Sequence, residues 1–123
     1  MKICVTSQGD KLDSDVDPRF GRCRYFIFVD SETFEFEAIE NPNIDGVGGV
    51  GIQSAQLIAR ENVKAVITGN VGPNAFQTLK AAGVDIFTGA SGSVKEQIDK
   101  YNKGEFKETK TPSVNSRFGI QGN

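Results

Sequence analysis

Short apolar runs alternate along the chain with polar or glycine-rich turns, and the period of each run predicts its secondary structure. Residues 3–6 are a first predicted strand, which a long polar connection over 8–23 separates from the next apolar run. Residues 25–29 are almost entirely apolar, as in a strand buried on both faces. Residues 34–38 alternate apolar side chains with glutamates, so this run predicts a half-solvated edge strand that follows a tight turn.

The second part of the chain repeats a strand, a short turn and a helix. Residues 63–67 and 84–87 are predicted strands, and each is followed by Thr-Gly. Consecutive units of this kind imply parallel strands. Apolar residues at a helical period predict three helices, the last with a capping box. The inward residues of the first helix are Ile52, Ala55, Ile58 and Ala59. The second helix lies between Pro73 and Gly83, with Ala75, Phe76, Leu79 and Ala82 inward. The third lies between Ser93, which forms the capping box with Glu96, and Gly104, and its inward residues are Val94, Ile98 and Tyr101.

This order of elements predicts an α/β fold with a mixed sheet, which has a meander at one edge, parallel strands at the other and helices covering it. With 123 residues the chain fits one domain, which we place over residues 1–104. Residues 105–123 have little apolar periodicity and many lysines, threonines, serines, asparagines and glycines. We therefore predict a mobile, polar C-terminal tail.

Composition excludes several classes of function. The 14 basic and 16 acidic residues and a pI near 5.1 leave no general electrostatic footprint for nucleic acid or an anionic membrane. No apolar run is long enough to span a bilayer and no signal peptide pattern opens the chain, so we expect a cytoplasmic protein. The chain has no histidine, which excludes a Ser-His-Asp triad and histidine-ligated zinc, and its two cysteines are too few for a disulfide framework.

Three glycine-rich turns each precede a predicted helix, over residues 46–51, 69–74 and 89–93. Helix starts direct unpaired N–H groups and a partial positive charge outward, and in open α/β sheets ligands bind beyond the carboxyl ends of the strands. The turns therefore predict an anion cradle, although glycine also serves simply to permit tight turns. Neither a Walker A loop nor a dinucleotide fingerprint is complete here. The cradle residues that we select are Gly48, Gly49, Gly69, Asn70, Gly72 and Asn74.

A second candidate is the segment 18–24, which carries three arginines and one thiol at the entrance to the strand 25–29. Its guanidinium groups could clamp an oxyanion or a sulfide-rich cluster, and their field is expected to lower the pKa of Cys23. Surface arginines beside a small buried cysteine are the alternative interpretation. Cys4, inside an apolar strand, is predicted to be core.

Aspartates in the long connection suggest a calcium loop only at first sight. Asp13, Asp15 and Asp17 take the first, third and fifth places of an EF-hand. However, Pro18 stands where glycine must turn the chain, and Arg24 stands where a glutamate should close the coordination sphere. We therefore interpret the three as solvated carboxylates.

Four segments in the same order resemble the dinitrogenase iron–molybdenum cofactor biosynthesis family, whose small domains include accessory proteins that carry nitrogenase cofactor or its precursors. These segments are 20–26 (FGRCRYF), the glycine run into 52–55 (IQSA), 65–76 (AVITGNVGPNAF) and 79–84 (LKAAGV). The resemblance extends over about residues 2–104.

The resemblance implies a ribonuclease H-like fold with a mixed five-stranded sheet and helices on both faces. It also implies a non-enzymatic protein that holds iron–molybdenum cofactor, its iron–sulfur precursor or a molybdenum–sulfur cluster noncovalently, with cofactor-assembly proteins as partners. The family commonly has a histidine before the Phe-Gly pair, where this chain has Arg19. Guanidinium does not coordinate metal. The protein therefore either holds a cluster through hydrogen bonds and Cys23, the candidate metal ligand, or uses a different, unassigned ligand.

Our leading hypothesis is a carrier of an anionic metal–sulfur species, nitrogenase-related and without a catalytic residue. An enzyme or binding module for a phosphorylated small molecule in the same cleft is the alternative, with Asp10 or Asp17 as its base. A third interpretation is an interaction module with an inert cleft. The predicted cofactor-binding residues are Arg19, Gly21, Arg22, Cys23, Gly48, Gly49, Gly69, Asn70, Gly72 and Asn74.

Overall fold

The computed structural model of the chain describes residues 1–46 and 48–114. Val47 in the first glycine-rich turn and residues 115–123 of the predicted tail lie outside the described residues. In chain order the elements are β1 (Lys2–Ser7), β2 (Tyr25–Asp30), β3 (Phe36–Glu40), α1 (Val50–Arg60), β4 (Ala65–Ile67), α2 (Pro73–Ala81), β5 (Asp85–Phe87) and α3 (Val94–Asn102).

The strands form one mixed sheet in the order β3-β2-β1-β4-β5. β2 is antiparallel to both β1 and β3, whereas β4 is parallel to β1 and to β5. The predicted meander and the predicted parallel strands are therefore confirmed, with β3 at one edge. Because β1, β4 and β5 are parallel, the three loops that follow them leave the same edge of the sheet.

Helices cover both faces of the sheet, because alternate residues of the central strands belong to two different cores. Cys4 faces a core with Ala55 of α1 and Leu79 of α2. Its neighbour Val5 faces a second core, which includes Ile98 of α3. The period of two along each strand thus places α1 and α2 on one side and α3 on the other.

Two predicted details are wrong. Phe34 is not part of a strand: it has a φ of 64° in the turn before β3, which begins only at Phe36. Ala82 is exposed rather than inward, because it is the C-cap of α2, where the chain has already left the helical face. Gly83 and Gly104 follow α2 and α3 with positive φ, as expected of helix stops.

The described part of the predicted tail, residues 105–114, contacts the domain beside β5. The ring of Phe106 lies 5.9 Å from that of Phe87, and the Thr109 N–H donates to the Ile86 carbonyl at 2.7 Å. The domain boundary at residue 104 and the mobility of 105–123 stay predictions. Among the described residues, no helix has the length and apolar character required to cross a membrane.

Candidate functional site

The arginine-rich segment lies against the glycine-rich turn that follows β4. The Asn70 N–H donates to the Pro18 carbonyl at 2.7 Å, and the Phe20 N–H donates to the Asn70 carbonyl at 3.2 Å. Gly69 is buried under Pro18, where an added Cβ would come within 2.6 Å of the Pro18 Cα. Two sites that are about fifty residues apart in the sequence thus form one surface at the carboxyl edge of the sheet.

The starts of α1 and α2 lie side by side next to this surface. Their N-cap residues are Gly49 and Gly72, which have no side chain to accept a hydrogen bond from the first turn. A Cβ added to Gly51 in the first turn of α1 would contact the Ala75 Cβ of α2 at 3.4 Å, and one added to Gly21 would lie 3.1 Å from the Gly51 Cα. Two helix N-termini, each with partial positive charge, therefore converge beside the arginine-rich segment.

The third predicted turn differs, because the start of α3 is already capped. The Ser93 hydroxyl accepts a hydrogen bond from the Glu96 N–H at 3.1 Å, and the Glu96 carboxylate accepts one from the Ser93 N–H at 2.9 Å. This start also lies on the opposite face of the sheet. The geometry accordingly restricts the cradle to the first two turns.

The three arginines of this segment differ in exposure and in their contacts. The Arg19 side chain is 39% exposed and its Nε lies 3.8 Å from an Asp17 carboxylate oxygen. Arg22 is half-buried and donates to the Ile44 carbonyl at 3.4 Å, in the loop before α1. Arg24 is exposed. Arg19 and Arg22 are therefore the two partly buried arginines of the segment whose backbone lies against the glycine turns.

Comparison with known proteins shows the family. The model of the family described as "Dinitrogenase iron-molybdenum cofactor" matches residues 1–104. The chain belongs to this family. It is 37% identical over 108 residues to an uncharacterized protein of Methanocaldococcus jannaschii, and the match covers 85% of this chain and 88% of that protein. The expected resemblance is confirmed.

Solved structures of other proteins have the same fold. The apo form of the orange protein from Desulfovibrio gigas superposes with a TM-score of 0.89 at 35% identity, over 92% of this chain and 96% of that one. The NMR structure of a Thermotoga protein gives a TM-score of 0.77 at 38% identity, over 92% and 98% of the two chains. The Thermotoga protein is described as a putative NifB protein, so the family description and the solved relatives relate the chain to nitrogenase iron–molybdenum cofactor proteins.

The environment of Cys23 in this family member differs from our expectation. Its side chain is fully buried in the core that contains Cys4, Phe26 and Ala55. Burial raises the pKa of the Cys23 thiol well above its ordinary 9.0, and the smaller lowering by Arg19 does not offset it. The predicted direction of the pKa shift is therefore wrong, because desolvation of a thiolate outweighs the field of a half-exposed guanidinium.

Two N–H groups in the second glycine-rich turn already donate hydrogen bonds to other groups of the protein. The Asn70 N–H donates to Pro18, and the Val71 N–H donates to the Ser113 hydroxyl at 2.8 Å. Asn74 is exposed in the first turn of α2, and Gly48 is exposed just before α1. The roles of the ten predicted site residues in binding stay predictions. Of the ten, Cys23 and Gly69 are buried, whereas the other eight are exposed or half-buried.

Two polar residues that sequence reasoning missed hold the arginine-rich segment in place. Asp17 is only 3% exposed and not solvated as expected; its carboxylate accepts from the N–H groups of Arg19 and Arg24, each at 3.1 Å. The buried Asn41 amide donates to the carbonyls of Gly21 at 3.0 Å and Cys23 at 2.9 Å. The Asn-Pro-Asn run around Asn41 was the available signal, since such runs form side-chain-stabilised turns.

Replacing Asp17 with asparagine is expected to lower the free energy of unfolding by about 2 kcal/mol, because a charged acceptor of two N–H groups is lost in a buried position. Urea denaturation followed by circular dichroism measures the change. Asp15→Asn, at an exposed position of the same loop, is the control and should stay within about 0.5 kcal/mol of the wild type. Equal stability of the two variants would show that the Asp17 charge does not hold the segment.

Proposed function

We propose that the protein is a non-enzymatic carrier of an anionic metal–sulfur species, as the sequence led us to expect. Iron–molybdenum cofactor, its iron–sulfur precursor and a molybdenum–sulfur cluster are the candidate cargoes. The family match supports this proposal, and so does the similarity to the orange protein, which was solved in its apo form. We also retain the ribonuclease H-like assignment, which the mixed sheet with helices on both faces supports.

The observation that carries the proposal is the convergence of two glycine-capped helix starts with Arg19 and Arg22. Each helix start favours a bound anion by about 0.3–1 kcal/mol, and more where the site is partly buried. Hydrogen bonds from guanidinium groups to an anion add about 1.5–3 kcal/mol each. Gly21 and Gly51, where the arginine-rich segment and the start of α1 approach each other closely, leave no side chain between these two segments.

This donor set fits a cluster that is held by hydrogen bonds to its sulfur or oxygen atoms. Among the described residues, no three histidine, cysteine or acidic side chains converge in a way that could hold a metal ion. Cys23 stays a proposed ligand, but its thiol would have to leave the core and ionise before it could bind metal. Arg19, in the position where the family commonly has a histidine, supplies charge and donors instead of a metal ligand.

Several features support a binding role without turnover. Of the two carboxylates considered as a general base, Asp17 is buried and hydrogen-bonded to backbone N–H groups, while Asp10 is exposed in the loop after β1.

Both cysteines are free, which agrees with a reducing compartment and with our proposal of a cytoplasmic protein. Cofactor-assembly proteins are the proposed partners, because a carrier must receive and deliver its cargo.

Anaerobic binding measurements with tetrathiomolybdate and with isolated iron–molybdenum cofactor test the proposal. We expect the metal to co-elute with the protein in gel filtration, and Arg19→Glu and Arg22→Ala each to weaken binding at least about tenfold, since each removes a charged donor. Visible absorbance and metal analysis give the readout.

Arg60→Glu is the matched control for Arg19→Glu, because it makes the same charge change in the last turn of α1, at the far end of that helix from the site. It should bind like the wild type. Metal-free elution of the wild-type protein with both cargoes would overturn the carrier function. Tight binding of inorganic phosphate in its place would favour the alternative of a phosphorylated small molecule.

A further inference from the structure

Residues 105–114 form a segment, here called the strap, that runs from the end of α3 along β5 to the glycine turn after β4. Phe106 begins it, packed against the core beside Phe87. The Thr109 N–H then pairs with the Ile86 carbonyl at 2.7 Å, and the Ser113 N–H pairs with the Val71 carbonyl at 3.0 Å. The strap thus crosses the edge of the sheet at which the strands β4 and β5 end.

Two hydroxyl groups of the strap accept hydrogen bonds from the turns that follow these strands. The Thr88 N–H donates to the Thr109 hydroxyl at 3.0 Å, and the Val71 N–H donates to the Ser113 hydroxyl at 2.8 Å. Both N–H groups belong to turns that direct donors outward from the carboxyl ends of parallel strands. A hydroxyl oxygen therefore occupies, at each turn, a position in which an anion's sulfur or oxygen atom would find a donor.

We propose that the strap is an internal competitor for the bound anion: its Ser113 hydroxyl closes the glycine turn after β4 in the free protein, its Thr109 hydroxyl anchors the strap at the turn after β5, and cargo binding displaces the Ser113 end. This inference rests on the proposed function, because it assigns a regulatory element to the same site. It adds a donor, the Val71 N–H, that becomes available to the cargo only when the strap opens.

The contacts along the strap show which end opens. The Phe106 end is held by aromatic packing and by the ion pair between Glu108 and Lys80, whose atoms lie 2.9 Å apart. The other end carries the exposed Ser113, which is held to Val71 through hydrogen bonds. Replacing hydrogen bonds of this kind by bonds to water or ligand costs little net free energy, whereas withdrawing an aromatic ring from the core costs more. Opening therefore begins at Ser113 and leaves Phe106 in place.

The double variant Thr109→Val/Ser113→Ala tests the proposal in the full-length protein. It removes both hydroxyl acceptors and keeps the size of the side chain at position 109. If the strap is open in about one molecule in ten, its release raises the apparent affinity for tetrathiomolybdate about tenfold, since apparent affinity scales with the competent fraction. Thr111→Val, at an exposed position within the strap, is the matched control and should leave the affinity unchanged.

Amide hydrogen exchange provides a second readout without ligand. Exchange at Val71 and Thr88 should be faster in the double variant than in the wild type, and tetrathiomolybdate should accelerate exchange of the Ser113 amide in the wild type. The single variant Ser113→Ala, at an exposed position, replaces the double variant if the latter loses its fold.

The outcomes separate the two proposals. If the wild type binds tetrathiomolybdate and the strap variants bind it with equal or lower affinity, the strap is not a competitor, and the carrier function stands. A lower melting temperature without a gain in affinity also overturns the competitor, because it shows a purely structural strap. Absence of binding by both wild type and variants, with tetrathiomolybdate and with isolated iron–molybdenum cofactor, overturns the carrier function and the competitor together.

Discussion

Substituting alanine for Gly69 is expected to lower the free energy of unfolding by about 3 kcal/mol, which corresponds to a fall in melting temperature of about 10 °C. The added Cβ would lie 2.6 Å from the Cα, 2.8 Å from the carbonyl oxygen and 2.9 Å from the Cβ of Pro18. Two of these three atoms are backbone, so the clash cannot be relieved by rotating a flexible side chain. The arginine-rich segment must move away from the turn after β4.

The same substitution should also weaken anion binding, since it separates the two halves of the site. The hydrogen bonds of Asn70 with Pro18 and Phe20 join these halves, and they lengthen when Pro18 is displaced. Differential scanning calorimetry measures the stability, and the tetrathiomolybdate titration, carried out at low temperature, measures the affinity of the protein that remains folded.

Gly48→Ala is the matched control, because no described atom lies within 4 Å of a Cβ added at Gly48. Its stability should stay within about 1 kcal/mol of the wild type. A Gly69→Ala variant as stable as Gly48→Ala would contradict the close packing of Pro18 on Gly69, and with it the joining of the two segments.

The second large effect is an alkaline loss of stability caused by the two buried thiols. Burial raises the pKa of Cys4 and of Cys23 well above the ordinary 9.0. Between these values the unfolded chain releases the thiol protons while the folded protein keeps them, so stability falls as the pH rises through 9. For two thiols the loss between pH 8 and pH 10 is about 2.7 kcal/mol.

Denaturation by urea at several pH values, with a reductant present, measures this loss. Cys23→Ala serves as the internal comparison and should lose only about 1.4 kcal/mol over the same interval, since one titrating thiol remains. Burial also raises the pKa of Tyr101 above its ordinary 10.0, so this residue lowers stability further mainly above pH 10. The interval therefore ends at pH 10. Equal pH dependence of the wild type and Cys23→Ala would contradict the raised pKa of the Cys23 thiol, because it would mean that folding leaves this pKa unchanged. A wild type that loses less stability than Cys23→Ala would show that the thiol is ionised in the folded state, as an arginine-activated ligand would be.

The elements of the fold follow from local patterns and could therefore be predicted. The period of two in β3 identified an edge strand with alternating glutamates, and the Ser93–Glu96 pair identified a capped helix start. Boundaries were less predictable: Phe34 has the aromatic character of a strand residue but takes a left-handed turn conformation, which depends on how β2 and β3 are connected.

The candidate site was only partly visible in the sequence. Arginines and glycine turns are local signals, so Arg19, Gly49 and Gly72 could be selected without a structure. The role of the buried Asp17 could not, because a loop aspartate looks solvated until the partners of its side chain are known. The Asn-Pro-Asn run predicts a turn at Asn41, but not that its amide reaches the carbonyls of Gly21 and Cys23. The pairing of Val71 with Ser113 was equally hidden, since 42 residues separate the two.

By itself, then, the sequence determined the α/β class, the mixed sheet and the family, because hydrophobic period, turn chemistry and motif order are properties of contiguous residues. Tertiary structure alone decided which groups meet: Pro18 on Gly69, the start of α1 beside that of α2, and a serine hydroxyl on the Val71 N–H. It also decided the state of Cys23. Three neighbouring arginines predict an acidic thiol, but desolvation depends on every residue packed around the sulfur, and the core that buries it raises the pKa instead.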